Sequence, residues 1–274
     1  MSFAATLILF LSPVVTNDVS TQVIDAEKGF AQNSREKGQV DAFKQWLAED
    51  AILFNPEPVK GKPLYANREK SAGTLWWQPA YVVTAESGDL AMSTGPFVAH
   101  SAKGDAFYGH FLTVWQKQAD GSWKVAIDNG ISHAPFPEEE WPKQVETGTA
   151  QSRKPGPTFD DLQARDRAYA AATSKKEGWA SAFAHFAAGD VRLYRNGSRP
   201  IIGKVKALTA LAADGPASWR PLGGKIASSG ELGFTYGKGS FAEGGGHFVY
   251  LRIWRFAADN NFELLVELVK PLNK

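Results

Sequence analysis

The chain has 274 residues, and 43% of them are hydrophobic, enough for a sizeable buried core and too many for disorder to describe the whole. Thirty Lys and Arg against 29 Asp and Glu leave a formal charge of +1, so no net field exists to recruit nucleic acid or an anionic membrane. With no cysteine, a disulfide framework, a thiolate zinc site and a cysteine nucleophile are all excluded.

Residues 1–20 open with a nearly unbroken apolar run from Phe3 to Val15, closed by Pro13 and followed by polar residues. This matches the apolar region of a secretory signal peptide and is too short to span a bilayer comfortably. The expectation is therefore a periplasmic or secreted protein whose mature chain has no integral membrane segment. The flanks fit less well, because no Lys or Arg precedes Lys28 and no Ala-x-Ala site is present. A first core helix and a mis-assigned start are the alternatives.

Residues 21–134 read as a first domain of two helices, a short strand Ile52-Leu53-Phe54, a Gly61-Lys62 turn and a third helix. Strands are then expected at about 81–86, 90–98, 106–117 and 123–131. Asp120-Gly121 reads as a two-residue hairpin turn with positive φ at both positions. That turn sets Trp115 opposite Ala126, Thr113 opposite Asp128 and Phe111 opposite Gly130, all on one face. His110, Leu112, Val114, Val125 and Ile127 fall on the other, so both faces are substantially apolar and need cover.

Residues 135–158 form a linker rich in proline (135, 137, 142, 155 and 157) with the acidic run Glu138-Glu139-Glu140. Thr158 and Asp161 have capping-box spacing, so a helix opens at about 159. In the second domain, 159–274, Trp179, Ala182, Phe183 and Phe186 make one apolar helical face. The turn Asp259-Asn260 puts Arg252 opposite Glu267.

The two domains are copies. Gly38, Phe43 and Asp50 recur as Gly178, Phe183 and Asp190. Gly61-Lys62, Trp77, Pro79, Gly88, Leu90 and Gly95 recur as Gly203-Lys204, Trp219, Pro221, Gly230, Leu232 and Gly237. Trp115, Asp120, Trp123 and Asp128 recur as Trp254, Asp259, Phe262 and Glu267. Helices first and antiparallel strands after make each copy α+β.

This order of elements resembles the nuclear transport factor 2-like fold shared by ketosteroid isomerases, snoaL-like polyketide cyclases and scytalone dehydratase. The stretch from Gly109 to Gly130, GHFLTVWQKQADGSWKVAIDNG, is similar to the final hairpin of uncharacterised snoaL-like members. The resemblance implies two tandem cone-shaped, cystatin-like α+β barrels. In each, the pocket lies on the concave face, and the convex sheets pack together as an intramolecular pseudo-dimer. Ketosteroid isomerase chemistry is not implied. In the first copy Asn55 stands where that mechanism needs its Asp base, Phe30 at the Tyr position and Thr113 at the donor Asp position. The second copy keeps Tyr169 but offers Arg195-Asn196 at the base.

Asp128 is the candidate general acid/base, a carboxylate on the pocket face beside Trp115 and Phe111, where desolvation raises its pKa. The other reading is a structural Asp held by the Thr113 hydroxyl. Asn55, Tyr65, Trp76, Trp77, Phe111, Thr113, Trp115 and Asp128 together form the expected ligand-binding set. Core packing accounts for the aromatics equally well, and Trp76, whose counterpart is Ser218, reads as the more functional of the Trp76-Trp77 pair. In the second copy an Arg252–Glu267 ion pair is expected to fill the cavity. His110, on the convex face, reads as a packed histidine. No metal-ligand spacing, dinucleotide fingerprint, P-loop or Gly-x-Ser-x-Gly motif occurs, so neither a metal nor a cofactor is expected. Three functions follow: a module binding a small apolar or aromatic molecule, which is favoured; a snoaL-like isomerase, lyase or cyclase using Asp128; or a non-catalytic interaction module. A raised Asp128 pKa in an open cavity would favour the enzyme.

Overall fold

The computed structural model describes residues 18–70, 72–151, 156–175 and 178–272. The apolar run Phe3 to Val15, and with it the expected signal peptide, lies outside the described residues. Among those residues no helix is long and apolar enough to cross a membrane.

Helix α1 (Val19–Lys37) buries Val23, Ala26, Phe30, Ala31 and Ser34, a stripe at helical spacing. Gly38, at φ 91°, breaks it and lets α2 (Gln39–Trp46) fold back, with Val40 and Phe43 inward. Strand β1 (Leu47–Phe54), β2 (Pro58–Lys60) and the short α3 (Gly61–Ala66) follow, then β3 (Thr74–Trp77), β4 (Tyr81–Thr84), β5 (Leu90–His100), β6 (Ala106–Lys117) and β7 (Trp123–His133). The order across the sheet is β2, β1, β7, β6, β5 and β4, with β3 also on β5.

The proline-rich stretch is not a plain linker. Its residues Glu146–Thr149 form β8, which pairs in parallel with β4 and extends the first sheet, and Trp141 is buried against Val98 and Phe136. The second half repeats the plan. It runs α4 (Phe159–Thr173), opened by the Thr158–Asp161 capping box, then α5 (Gly178–Phe186), β9 (Ala187–Arg195), β10 (Ile201–Ile202) and α6 (Lys204–Leu211). Its last strands are β11 (Ala217–Ile226), β12 (Leu232–Phe241), β13 (His247–Phe256) and β14 (Phe262–Pro271), in the sheet order β10, β9, β14, β13, β12, β11.

The final hairpin departs from the expected turn. Gln118 and Ser122 close a three-residue loop in which only Gly121 has positive φ (83°). Thr113 still faces Asp128 and Phe111 still faces Gly130, but a bulge sets Trp115 opposite Val125. Val125 therefore packs under the helices, and Ala126 joins Ile127 on the opposite face. The second hairpin carries the same bulge at Leu265, and there Asn260 takes the positive φ (63°).

The two sheets pack back to back. Leu112, Val114, Ile127 and Ile131 from the first meet Leu251, Ile253, Val266 and Leu268 from the second in one buried cluster. The contact is reciprocal. Asp89 accepts the Ser228 amide (3.0 Å), Glu231 accepts the Glu86 amide (2.7 Å), and Ser229 donates to Ser87 between them (2.7 Å). Residues 86, 87 and 89 correspond to 228, 229 and 231 in the repeat, so this is the self-matching contact of a twofold dimer made within one chain. Buried Tyr194 adds a hydroxyl contact to Thr94 (2.6 Å). Because the fully buried Ile127 belongs to this shared layer, Ile127→Ala should cost about 2–5 kcal/mol. Urea denaturation followed by two probes should show both halves losing stability together.

Candidate active site in the first half

The cavity lies between the concave face of the first sheet and its helices. It holds about 350 Å³, at the lower end of the roughly 300–1,000 Å³ usual for ligand sites. Apolar walls come from Phe30, Phe43, Leu53, Leu64, Tyr65, Trp77, Phe97 and Phe111. Polar groups enter at few points: Asp128 and Thr113 on the sheet, Glu27 on α1, Asn55 after β1, Arg68 after α3, and Asn129 and Ser132 further along β7.

Asp128 accepts a hydrogen bond from the Thr113 hydroxyl (2.6 Å) across the β6–β7 ladder. Burial, with the charge of Glu27 adding to it, pushes its carboxyl from an ordinary 3.8 up to about 7, against the opposing pull of Thr113 and of Lys270. Glu27 is fully buried and receives Trp77 Nε1 (2.6 Å), Trp115 Nε1 (2.9 Å) and the Ser93 hydroxyl. Burial raises its pKa as well, and those three donors oppose the rise. Tyr65 stacks on Phe43 (4.7 Å between centroids, 11° between planes), and its hydroxyl is pushed up to about 12 by burial.

Of the residues expected from sequence, Asn55, Tyr65, Trp77, Phe111, Thr113 and Asp128 line this cavity. Trp76 and Trp115 do not. Trp76 lies on β3, where side chains alternate, so Leu75 and Trp77 point inward while Trp76 packs outside under Arg35 (4.9 Å). Trp115 is fully buried beneath α1, with its indole N–H on Glu27 and Ser93. Sequence reasoning missed Glu27, although it stands on the apolar stripe of α1 between Val23 and Phe30, a position where a carboxylate needs a reason. It also missed Arg68, Asn129 and Lys270.

The second half shows what a different residue pair does at the same place. Arg252 and Glu267, the counterparts of Thr113 and Asp128, pair at 3.3 Å with no exposure on either side chain. Arg252 also meets Asp166 at 2.8 Å and lies over the rings of Trp219 (3.9 Å), Tyr250 (4.3 Å) and Tyr169 (4.5 Å). Arg195 adds a second cation to Glu267 at 2.8 Å. The guanidinium occupies the centre of this half.

His110 contacts His133 (2.7 Å), stacks on Phe136, and is pushed down to about 3, first by burial and then by the neighbouring charges of His133, Arg199 and Arg192. Among the described residues no group of three or more His, Cys, Asp or Glu is placed to hold a metal ion.

No protein-family model matches the chain, and no curated protein matches it by sequence. Solved structures do. A ketosteroid isomerase-like protein from Erwinia carotovora atroseptica SCRI1043 is similar over 42% of this chain and 96% of its own, at 13% identity and a TM-score of 0.35. An NTF-2 like protein of unknown function from Shewanella oneidensis MR-1 gives 41%, 98%, 13% and 0.35 in the same order. A Catenulispora acidiphila protein in complex with S-DNPA gives 41%, 92%, 13% and 0.34. The likeness is one of α+β fold.

The folded state holds the Asp128 proton up to about pH 7, whereas the unfolded chain releases it near 3.8. Stability from this group is therefore fully present below about pH 4 and lost as the pH rises through 7. Asp128→Asn keeps an acceptor for Thr113 and cannot ionise, so its urea-measured stability should be flatter between pH 4 and 7 and exceed the parent's at pH 8, on the order of a few kcal/mol. In the other half, Arg252→Met leaves buried Asp166 without its cation and Glu267 with Arg195 alone, and should cost about 3–5 kcal/mol in the same measurement.

Proposed function

We propose that the first-half cavity encloses a small, largely apolar cyclic molecule and that Asp128 exchanges a proton with it. This would make the protein a cofactor-independent isomerase or lyase. The observation that carries this reading is a carboxyl held in the wall of an open, aromatic-lined cavity, its affinity for a proton matched to neutral pH. A group with pKa near 7 is present in both forms under working conditions, so it can take a proton from a bound carbon acid and return it at another position without first being activated. Thr113 orients the carboxyl through its hydroxyl, and the aromatic walls hold the substrate against it. The second half contributes rigidity and one side chain, its own centre being filled by Arg252.

Binding without turnover is the second reading, supported by the same cavity. Export belongs to the proposal too: the run Phe3 to Val15 would direct the chain out of the cytoplasm and be removed. Native mass spectrometry of protein from its own host tests this, an intact mass lacking the first residues being the expected result.

2-Tetralone, a bicyclic ketone with acidic C–H bonds next to its carbonyl, separates the first two readings. In deuterium oxide the protein should accelerate deuterium incorporation, with a rate that rises through an apparent pKa near 7. Asp128→Asn should lower that rate by about 100-fold or more while still binding the ketone. Binding with no Asp128-dependent exchange would leave a carrier, and no binding would remove both readings.

A further inference from the structure

Strand β14 belongs to the second half, yet one of its side chains lines the cavity of the first. Val266 and Leu268 lie in the layer shared by the two sheets, while Glu267 and Val269 turn into the second half's own interior. Side chains alternate along a strand, so Lys270, two residues beyond Leu268, continues the row that faces the first half. There it forms part of the cavity wall, within reach of the charge of Asp128.

Lys270 is half-buried, and no described residue gives it a hydrogen bond or an ion pair. Its ammonium feels the charge of Asp128 without forming an ion pair with it. A cation to which no described residue gives an acceptor therefore stands in the cavity wall. The repeat sharpens the point. Ile131 occupies the position in the first half that Lys270 occupies in the second, and it is wholly buried and apolar. The same place in the interface is sealed on one side and cationic on the other.

We propose that Lys270 receives an anionic oxygen group of the ligand, so that the cavity takes small cyclic carboxylates and the second half completes the first half's site. This rests on the reading of the cavity as a ligand site and adds the class of ligand. It also gives the second half a role beyond covering an apolar sheet.

Two probes of one shape test it: 2-naphthoate, and 2-naphthamide, which lacks the charge. Affinities for the full chain can be read by isothermal titration calorimetry. The wild type should prefer the carboxylate by about tenfold or more, the scale of one charge-assisted hydrogen bond. That ratio should fall toward one in Lys270→Met and return in Lys270→Arg, which keeps the cation. Binding of the amide by each variant shows that its cavity is intact. Equal affinities in the wild type, or a preference that survives Lys270→Met, would overturn the assignment and leave the cavity reading standing. The second of those results would give the anion to Arg68 instead. Failure of both probes to bind the wild type would overturn the assignment together with the reading on which it rests.

Discussion

Everything in this molecule is arranged around two sheets that are apolar on both faces. A strand such as β6 carries Phe111 and Trp115 toward the helices and Leu112 and Val114 away from them, so each sheet needs cover twice. Helices supply it on the concave side. On the convex side the two halves cover one another, and because they are copies, one set of contacts is used in both directions. Apolar burial of this kind is worth roughly 25 cal/mol per Å², and it fixes the halves closely enough for a side chain from one to be a wall residue of the other.

Within that frame, a single cross-strand pair separates an open cavity from a filled centre. Thr113 and Asp128 are short, and their hydrogen bond leaves space above the sheet. Arg252 and Glu267 stand at the equivalent positions, and the guanidinium reaches Asp166 while three aromatic rings surround it. The scaffold beneath is otherwise shared. Glu27 and Asp166 hold equivalent places, as do Ser93 and Thr235, and Trp115 and Trp254. Each Trp donates to the hydroxyl beside it at 2.9 Å. Arg252 gains electrostatic complementarity and gives up the space. Asp128 keeps the space and, lacking a contact cation, holds its proton to a higher pH than an ordinary carboxyl.

Much of the architecture was legible because it depends on local periodicity and on the repeat. The capping box at Thr158, the face Trp179-Ala182-Phe183-Phe186 and the pairing of Thr113 with Asp128 are written in neighbouring residues. What was lost depended on single insertions. Reading a two-residue turn where three residues bulge left Asp128 in place but moved Val125 and Ala126 to the wrong faces. Strand β3 is too short to show alternation, and without it Trp76 could not be told from Trp77. β8 hid inside a proline-rich stretch because its partner, β4, is far away in sequence. Lys270 was illegible for a deeper reason: its destination depends on how two halves dock, which no window of sequence contains.

The carboxyls of Glu27 and Asp128 share one poorly hydrated space, and the charge of Glu27 raises the cost of ionising Asp128 there. Burial raises both, and the charge of Glu27 raises Asp128 further, while Lys270 acts in the opposite direction on Asp128. A neutral ligand filling the cavity would expel water, deepen the desolvation and move Asp128 toward its protonated form. An anionic ligand would do so more strongly, unless its charge were met by the ammonium of Lys270 before being felt by the carboxyl. A proton acceptor that must work beside an anion therefore needs a cation from outside its own sheet. Among the described residues that line the cavity, the first half offers the exposed Arg68 after α3, and β14, reaching across from the other half, supplies Lys270 from within the wall.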